Sequence, residues 1–196
     1  MIQKIGQGLL AATVFTVLST PIYAEDHNFY LGASIGSAKA NDACDDLDEV
    51  SFIGSCDERD TAGKLFAGYQ FTSLWGVEAF YADFGETSAK GAINGDSAKA
   101  EFDADGFGLA ATATWDINEQ FSIFGKFGVI RWDVDGKASI ENLSATDDDD
   151  GTDILFGAGA GYSFTENIAI RAEWERFNDV SDTDIDLFSA GIVYSF

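Results

Sequence analysis

Apolar and polar side chains alternate with a period of two along eight segments of the chain. In the first of them, Leu31 and Ile35 fall on one face, and Gly32 and Ser34 fall on the other. This alternation predicts β-strands, and each segment is close to the roughly 9–11 residues that a strand needs to cross a membrane. The eight predicted strands lie at about residues 29–38, 64–71, 76–84, 107–115, 121–129, 156–164, 168–175 and 188–196.

Short and long connections alternate between these segments. The short ones are residues 72–74, 118–120 and 165–167, and the long ones cover about 40–61, 86–105, 134–153 and 178–186. Seven connections join eight strands, so the start of the first strand and the end of the last both fall on the side of the short turns. The plan predicts an all-β fold, an eight-stranded antiparallel up-and-down transmembrane β-barrel with short periplasmic turns and long extracellular loops.

The two faces of the predicted strands differ in polarity. One face carries aromatic and aliphatic side chains, and the other carries Gly, Ser, Thr and a few charged residues. The interior of an eight-stranded barrel is just wide enough to be filled by side chains, so the small and charged residues are predicted to face inward and the aromatic ones to face lipid. A packed soluble sandwich is the alternative. At the long-loop end we expect an aromatic belt of Tyr81, Phe84, Phe107, Trp132, Trp174 and Phe188.

Charged residues on the inward face balance one another in sign. Three are positive and three negative, which suits burial because paired charges are tolerated where a lone charge is costly. We interpret this lumen charge network as a brace of the barrel core, with an ion pathway as the alternative. Its predicted members are Lys64, Glu78, Lys126, Arg171, Glu173 and Glu175.

The N-terminal 24 residues have the features of a cleaved secretory signal. Lys4 supplies a positive charge, the apolar run 8–18 is too short to span a membrane as a helix, and Ala24 offers a small residue at the cleavage point. The mature chain is therefore expected to be residues 25–196, with an uncleaved anchor as the alternative. In an exported chain, Cys44 and Cys56 are predicted to form a disulfide bond rather than to remain free thiols.

The composition is strongly acidic. Lys and Arg number 11 against 34 Asp and Glu, a formal net charge of -23, which excludes a nucleic-acid partner because phosphate binding needs a basic face. Many carboxylates fall in the long connections, including the run 147–150. They predict either a solvated, repulsive coat or a weak association with divalent cations that bridge to anionic lipopolysaccharide. No other cofactor or metal is expected.

Catalytic chemistry has little support in the sequence. The single histidine, His27, lies near the expected mature N-terminus on the periplasmic side. Outer-membrane barrel enzymes generally use a histidine at the outer rim as a base. The chain is therefore predicted not to be an enzyme.

Five motifs resemble one family in their order and spacing. They are LFAGYQF (65–71), VEAFYADFG (77–85), FSIFGKFGVIRWDVD (121–135), FGAGAGYSFTENIAIRAEWERF (156–177) and LFSAGIVYSF (187–196). Together they make residues 28–196 similar to the membrane domain of the outer-membrane protein A (OmpA) family. The periplasmic domain with which larger relatives grip peptidoglycan lies outside this resemblance, so its function is not implied.

The resemblance assigns roles to several positions. Glu78, Lys126 and the pair Arg171 and Glu173 match the paired charges of the family's inner core. The family's strand-four lysine, associated with a lumen gate, is Thr112 here, and no basic residue follows Arg176, so a gated pore is not implied. Tyr194 and the terminal Phe196 resemble the signal that the barrel-assembly machinery reads.

These observations predict an integral protein of the outer membrane of a Gram-negative bacterium, exported through the periplasm. Its expected role is structural and surface-presenting, and its expected partners are outer-membrane lipid, lipopolysaccharide and the barrel-assembly machinery. One alternative is a low-conductance, porin-like pore. The other is an adhesin whose loops bind an unidentified extracellular ligand.

Overall fold

The computed structural model describes residues 29–41, 52–93, 96–140, 143–181 and 183–196. Nine strands account for most of these ranges: β1 (Phe29–Ala40), β2 (Phe52–Asp57), β3 (Arg59–Gln70), β4 (Trp75–Ile93), β5 (Asp96–Asp116), β6 (Phe121–Ile140), β7 (Leu143–Ser163), β8 (Ile168–Val180) and β9 (Thr183–Ser195). Across these ranges, no helix is long and apolar enough to span a membrane.

The strands form one closed antiparallel barrel. β1 pairs with both β3 and β9, and from β4 to β9 each strand pairs with the next one along the chain. β2 and β3 both pair with β4 and together form one barrel strand. A one-residue slip of the register, between the pairs Asp57–Ser88 and Gly63–Asp83, divides this strand into its two segments. Gly85, opposite this slip, has a φ of 75°, which favours glycine. The predicted eight-stranded up-and-down barrel is confirmed.

Three tight turns define one end of the barrel, which we call the short-turn end. In each turn the first polar side chain accepts hydrogen bonds from backbone N–H groups that follow it, a geometry typical of Asn and Thr in turns. Asn118 Oδ1 accepts from the N–H groups of Gln120 and Phe121, both at 2.9 Å. Thr72 and Thr165 do the same at the other two turns.

The predicted alternation of faces holds on all eight barrel strands. Leu65 and Phe127 point outward and are 61% and 60% exposed, whereas their neighbours Phe66 and Lys126 are buried inside. The outward apolar side chains form a continuous band around the barrel, as expected of a surface that meets lipid.

Five barrel strands continue past this band at the opposite end, since β2 pairs with β4 as far as Phe52–Ile93. β4 pairs with β5 as far as Ile93–Asp96, and β6 pairs with β7 as far as Ile140–Leu143. The predicted connections 86–105 and 134–153 are thus largely β-hairpins rather than irregular loops. We call residues 83–105 and 131–154 the extension.

The polarity of the strands reverses in the extension. On β6, Trp132 and Val134 point inward and are buried, while Asp133 and Asp135, which alternate with them, are exposed. The period of two is kept, but the apolar side chains of this strand now face the axis, as in a barrel surrounded by water. The prediction that Phe84 and Trp132 belong to an outward aromatic belt is wrong, because both are in register with the inward face and are 4% exposed.

Several sequence predictions lie outside the described residues. They concern the signal 1–24, His27, Cys44 and the acidic residues from Asp42 to Glu49. Cys56 lies on β2, where its backbone is in register with Ala89, but its side chain is not among the described ones. The disulfide bond stays a prediction.

Candidate functional site

The structure brings the six predicted lumen charges together inside the barrel. Lys64 comes from β3, Glu78 from β4 and Lys126 from β6. The other three lie at alternate positions of β8, which places them on the same inward face. All six side chains are at least nine-tenths buried: Lys64, Glu78, Lys126, Arg171, Glu173 and Glu175.

Glu78 is the carboxylate with the most varied set of partners. Lys126 Nζ donates to its Oε1 at 2.7 Å, and Arg171 Nη1 donates to its Oε2 at 2.7 Å. The Tyr30 hydroxyl donates to the same Oε2 at 3.0 Å. One buried anion therefore joins β1, β6 and β8 to β4.

Glu173 and Glu175 of β8 neutralise the two lysines, which come from β3 and β6. Lys64 Nζ donates to Glu173 Oε2 at 2.9 Å and also bonds Glu175. Lys126 Nζ lies 2.9 Å from Glu175 Oε1 and 2.7 Å from Glu173 Oε2. Lys64 thus bridges two carboxylates and Lys126, with Glu78 included, bridges three, and the network as a whole carries three charges of each sign.

Arg171 is held by aromatic rings as well as by carboxylates. Its guanidinium carbon lies 4.0 Å from the centroid of Phe124 and 4.9 Å from that of Phe66. Its Nε is 2.9 Å from Glu173 Oε1, a contact close enough for an ion pair but without the geometry of a hydrogen bond. Flat cationic groups favour this placement between ring faces.

Sequence reasoning did not assign roles to these ring neighbours. Tyr30, Phe66 and Phe124 were visible only as inward members of their strands, and nothing in a single strand shows which charge a ring will meet. The one feature of the sequence that points to these rings is that they are large aromatic side chains on strand faces otherwise made mostly of Gly, Ser and Thr.

Three hydroxyls beside the network have no hydrogen-bond partner. They belong to Ser34, Thr112 and Ser189. Ser34 is in register with Lys64, Thr112 with Lys126, and Ser189 with Glu173. Thr112 stands at the position where the family resemblance expects the gate lysine, so the chain has a small neutral side chain there.

An apolar layer fills the barrel above the charges, on the side of the extension. The Phe177 ring lies 4.8 Å from that of Phe84 and 6.1 Å from that of Phe80, in edge-on contacts. Ile130 and Leu155 are fully buried beside them. The charges are consequently separated from the extension end by packed hydrocarbon.

The outer face of the extension carries two rows of carboxylates. The register sets Asp105 between Asp83 and Asp133, and Asp103 between Glu86 and Asp135. β7 adds Asp150 to the first row and Asp148 to the second. Like charges in direct cross-strand pairs repel. Within the described part of the chain, no three acidic, His or Cys residues are grouped so as to hold a metal ion.

Two carboxylates outside the apolar band have shifted pKa values. A hydrogen bond from Arg176, whose Nε lies 2.9 Å from Asp186 Oδ1, holds the pKa of Asp186 below its usual range. A hydrogen bond with Glu101 raises the pKa of Glu86, because two neighbouring carboxylates ionise together only at a cost.

The last residues of β9 project outward at the short-turn end. Tyr194 and Phe196 are about half exposed, and their rings lie 5.0 Å apart. The Phe196 backbone N–H donates to the Phe29 carbonyl at 3.0 Å. The C-terminus thus closes the barrel against β1.

The comparisons with known proteins agree with this architecture. The family model described as "OmpA-like transmembrane domain" matches residues 24–196. Outer membrane protein A of Shigella flexneri is 28% identical over 183 residues, which cover 88% of this chain and 49% of that protein. The protein of Klebsiella pneumoniae is 24% identical, covering 93% of this chain and 54% of its own length. The chain spans about half the length of the curated relatives it matches.

Solved structures show the same fold at low sequence identity. OprG of Pseudomonas aeruginosa has a TM-score of 0.58 at 16% identity, covering 86% of this chain and 95% of that one. Ail of Yersinia pestis has a TM-score of 0.54 at 20% identity, covering 86% and 99%. With the family model matching nearly the whole chain, the protein belongs to the OmpA-like transmembrane domain family and is a β-barrel of the Gram-negative outer membrane.

Proposed function

We propose that the protein has a structural and surface-presenting role, as a closed barrel that anchors an acidic extension outside the membrane. The observation that carries this proposal is the filled lumen. Glu78 and Glu175 are fully buried in the charge network, and Ile130, Leu155 and Phe177 are fully buried in the apolar layer above it. Ions would have to cross both layers, and the upper one offers them no polar partner.

Conductance of the reconstituted barrel tests this role against the pore alternative. In planar bilayers we expect no stepwise currents from the folded protein, as for bilayers that received detergent alone. The double variant Phe177→Ser/Leu155→Ser, which makes the apolar layer polar and smaller, serves as the comparison. Reproducible unit currents from the unaltered protein would establish the pore and overturn the proposal.

We also propose that the barrel is not an enzyme. Support comes from its family membership and from the position of its one histidine, residue 27, before the first strand. The periplasmic domain of larger relatives plays no part in the proposed role.

Weak association with divalent cations is a second part of the proposal. Cations that neutralise the two carboxylate rows would relieve six direct cross-strand pairs of like charge. We expect millimolar Ca²⁺ to raise the melting temperature more than NaCl of equal ionic strength, and Asp103→Asn/Asp135→Asn to reduce the difference. Equal effects of the two salts would contradict it.

Lipopolysaccharide is the proposed partner of these bound cations, since its phosphates carry the same sign as the extension. Barrels prepared with Ca²⁺ are expected to retain more lipopolysaccharide through purification than barrels prepared with EDTA. Unchanged retention would remove lipopolysaccharide bridging from the proposed role.

Adhesion is the second candidate function, favoured by the reach of β4–β7 past the apolar band. Removing residues 41–59 tests the first connection, but it also takes out β2 and its pairing with β4. A deletion of 137–146, which shortens the β6–β7 hairpin and leaves the barrel strands intact, tests the extension in the same cell-attachment assay.

A further inference from the structure

One strand of the extension has a partner on only one side. β7 pairs with β6 along its whole length, from Ile140–Leu143 to Phe121–Tyr162. It pairs with β8 only from Leu155 to Ser163. Among the residues that the structure describes, no strand pairs with residues 143–154 on their other side. We call this stretch the free edge.

The free edge exists because β8 ends at Val180, three residues after its last pair with β7 at Phe177. Asp179 and Ser181 have φ values of 59° and 47°, a left-handed conformation that ends the strand, and the register between β8 and β9 slips between Phe177 and Val180. The hairpin tip touches the free edge through a side chain, since Ser181 Oγ donates to Asp149 Oδ2 at 3.0 Å. No backbone group of a described residue pairs with the free edge on the side away from β6.

An open edge is a template for strand pairing, and its side chains decide which strand can add. Residues 147–150 are four consecutive aspartates, and all are exposed. Since neighbouring side chains of a strand point to opposite faces, Asp148 and Asp150 lie with the carboxylate rows, and Asp147 and Asp149 lie on the other face. A strand added here meets negative charge on both of its faces.

This charge pattern excludes one class of partner and favours another. A second copy of the chain that paired edge to edge would set aspartates near aspartates, which repel. A segment with alternating basic and apolar residues would match only one face. A run of consecutive basic residues is complementary in charge to both faces, because each basic side chain would lie beside a carboxylate.

We propose that the free edge of β7 is a strand-addition site for an extended segment of a partner protein that carries a run of about four consecutive Lys or Arg residues. The proposal rests on the proposed display of the extension outside the membrane, and it adds the site and the chemistry of the partner. Backbone pairing would supply the register, and the aspartates the selectivity.

Three synthetic peptides separate strand addition from simple charge attraction. The first has four central lysines flanked by threonine and valine, the second has the same composition with the lysines dispersed, and the third is the first with alternate backbone amides N-methylated. Binding is measured to the full barrel in nanodiscs. We expect N-methylation to weaken binding at least tenfold and dispersal several-fold. Equal binding of the first and third peptides, or no binding of the first, would overturn the proposal.

Hydrogen exchange locates the contact. Bound peptide is expected to slow amide exchange in residues 145–154, and to leave residues 121–129 of the membrane band unchanged. Protection confined to other segments would overturn the assignment of the site.

A matched pair of variants tests the aspartates. Asp147→Asn/Asp148→Asn/Asp149→Asn removes three charges at the free edge, and Asp116→Asn/Glu119→Gln/Glu166→Gln removes three at the short-turn end. We expect only the first to lose peptide binding, with both barrels still resisting heat in detergent. Loss of peptide binding in both variants would show that binding depends on the net charge of the barrel, and this would overturn the proposal. Planar-bilayer recordings from the same purified protein test the proposed function separately from this result.

Discussion

At the scale of single residues, the interior shows why balanced charges can be buried in so narrow a barrel. Glu78 accepts from Lys126, Arg171 and Tyr30, so its desolvation is offset by three donors on three other strands. Removal of one partner has consequences out of proportion to its size, because the remaining charges stay buried without compensation.

Glu78→Ala is therefore expected to destabilise the barrel by about 3–5 kcal/mol, as is typical when a buried ion pair loses one partner. It leaves Lys126 and Arg171 with an excess of positive charge. Denaturant unfolding of the refolded protein in detergent micelles measures the loss, with Glu119→Ala in an exposed turn as the control. Equal stability of the two variants would show that the network is not a brace.

At the outer rim, the pair of Arg176 and Asp186 is expected to stabilise the barrel in a way that depends on pH. The pKa of Asp186 is lowered by its hydrogen bond from Arg176, so its contribution to stability is present above the pKa of the unfolded chain and is lost as pH falls through the lower folded value. The contribution is expected to be complete at neutral pH and to disappear in the acid range below about pH 4. Comparison of unfolding curves of the protein and Asp186→Asn from pH 7 to pH 2 measures it, and a constant difference across that range would contradict this account.

At the scale of elements, the extension separates what the sequence could and could not predict. Strand number, outward faces and all three tight turns follow from period-two alternation and turn residues. The sequence predicts connections where the extension lies, because the polarity there is reversed: in WDVD, at 132–135, the apolar residues are the buried ones. Alternation alone does not tell on which side water lies, and the prediction for Phe84 and Trp132 is wrong for this reason.

The apolar layer at the base of the extension yields a prediction at this scale. Phe177→Ala is expected to cost about 3–5 kcal/mol, because the cavity lies among rings that cannot collapse into it. Phe127→Ala, whose side chain lies on the lipid-facing band, is expected to cost less. Unfolding in micelles gives both values, and a larger loss for Phe127→Ala would mean that the layer is loosely packed.

At the scale of the whole molecule, closure depends on the contact of the last strand with the first. β9 and β1 pair from Tyr30–Ser195 to Ala40–Ile185, and the Phe29 and Phe196 rings lie 5.5 Å apart at the seam. A barrel whose first and last strands pair in this way can complete its hydrogen bonds only after β9 has been synthesised. The barrel-assembly machinery is the proposed reader of Tyr194 and Phe196.

Phe196→Ala is expected to lower the amount of folded barrel in the outer membrane several-fold while leaving refolding of purified protein into detergent nearly unchanged. Phe164→Ala is the control, because Phe164 is another exposed aromatic residue at the short-turn end. Heat-modifiable mobility of membrane fractions measures assembly. Equal losses for the two variants, or a failure of Phe196→Ala to refold in detergent, would assign Phe196 to stability instead of recognition.

The reversal of polarity along β4–β7 also fixes the vertical position of the protein in its bilayer. If the barrel moved a few ångströms toward the short-turn side, the row of carboxylates from Asp83 to Asp150 would enter hydrocarbon. If it moved the other way, the outward side chains of Phe107 and Val129 would leave the bilayer and meet water. Each displacement is penalised on its own side, so the barrel has one preferred depth. Bilayers of a different thickness should therefore adapt to the protein by stretching or thinning around it, and not the reverse.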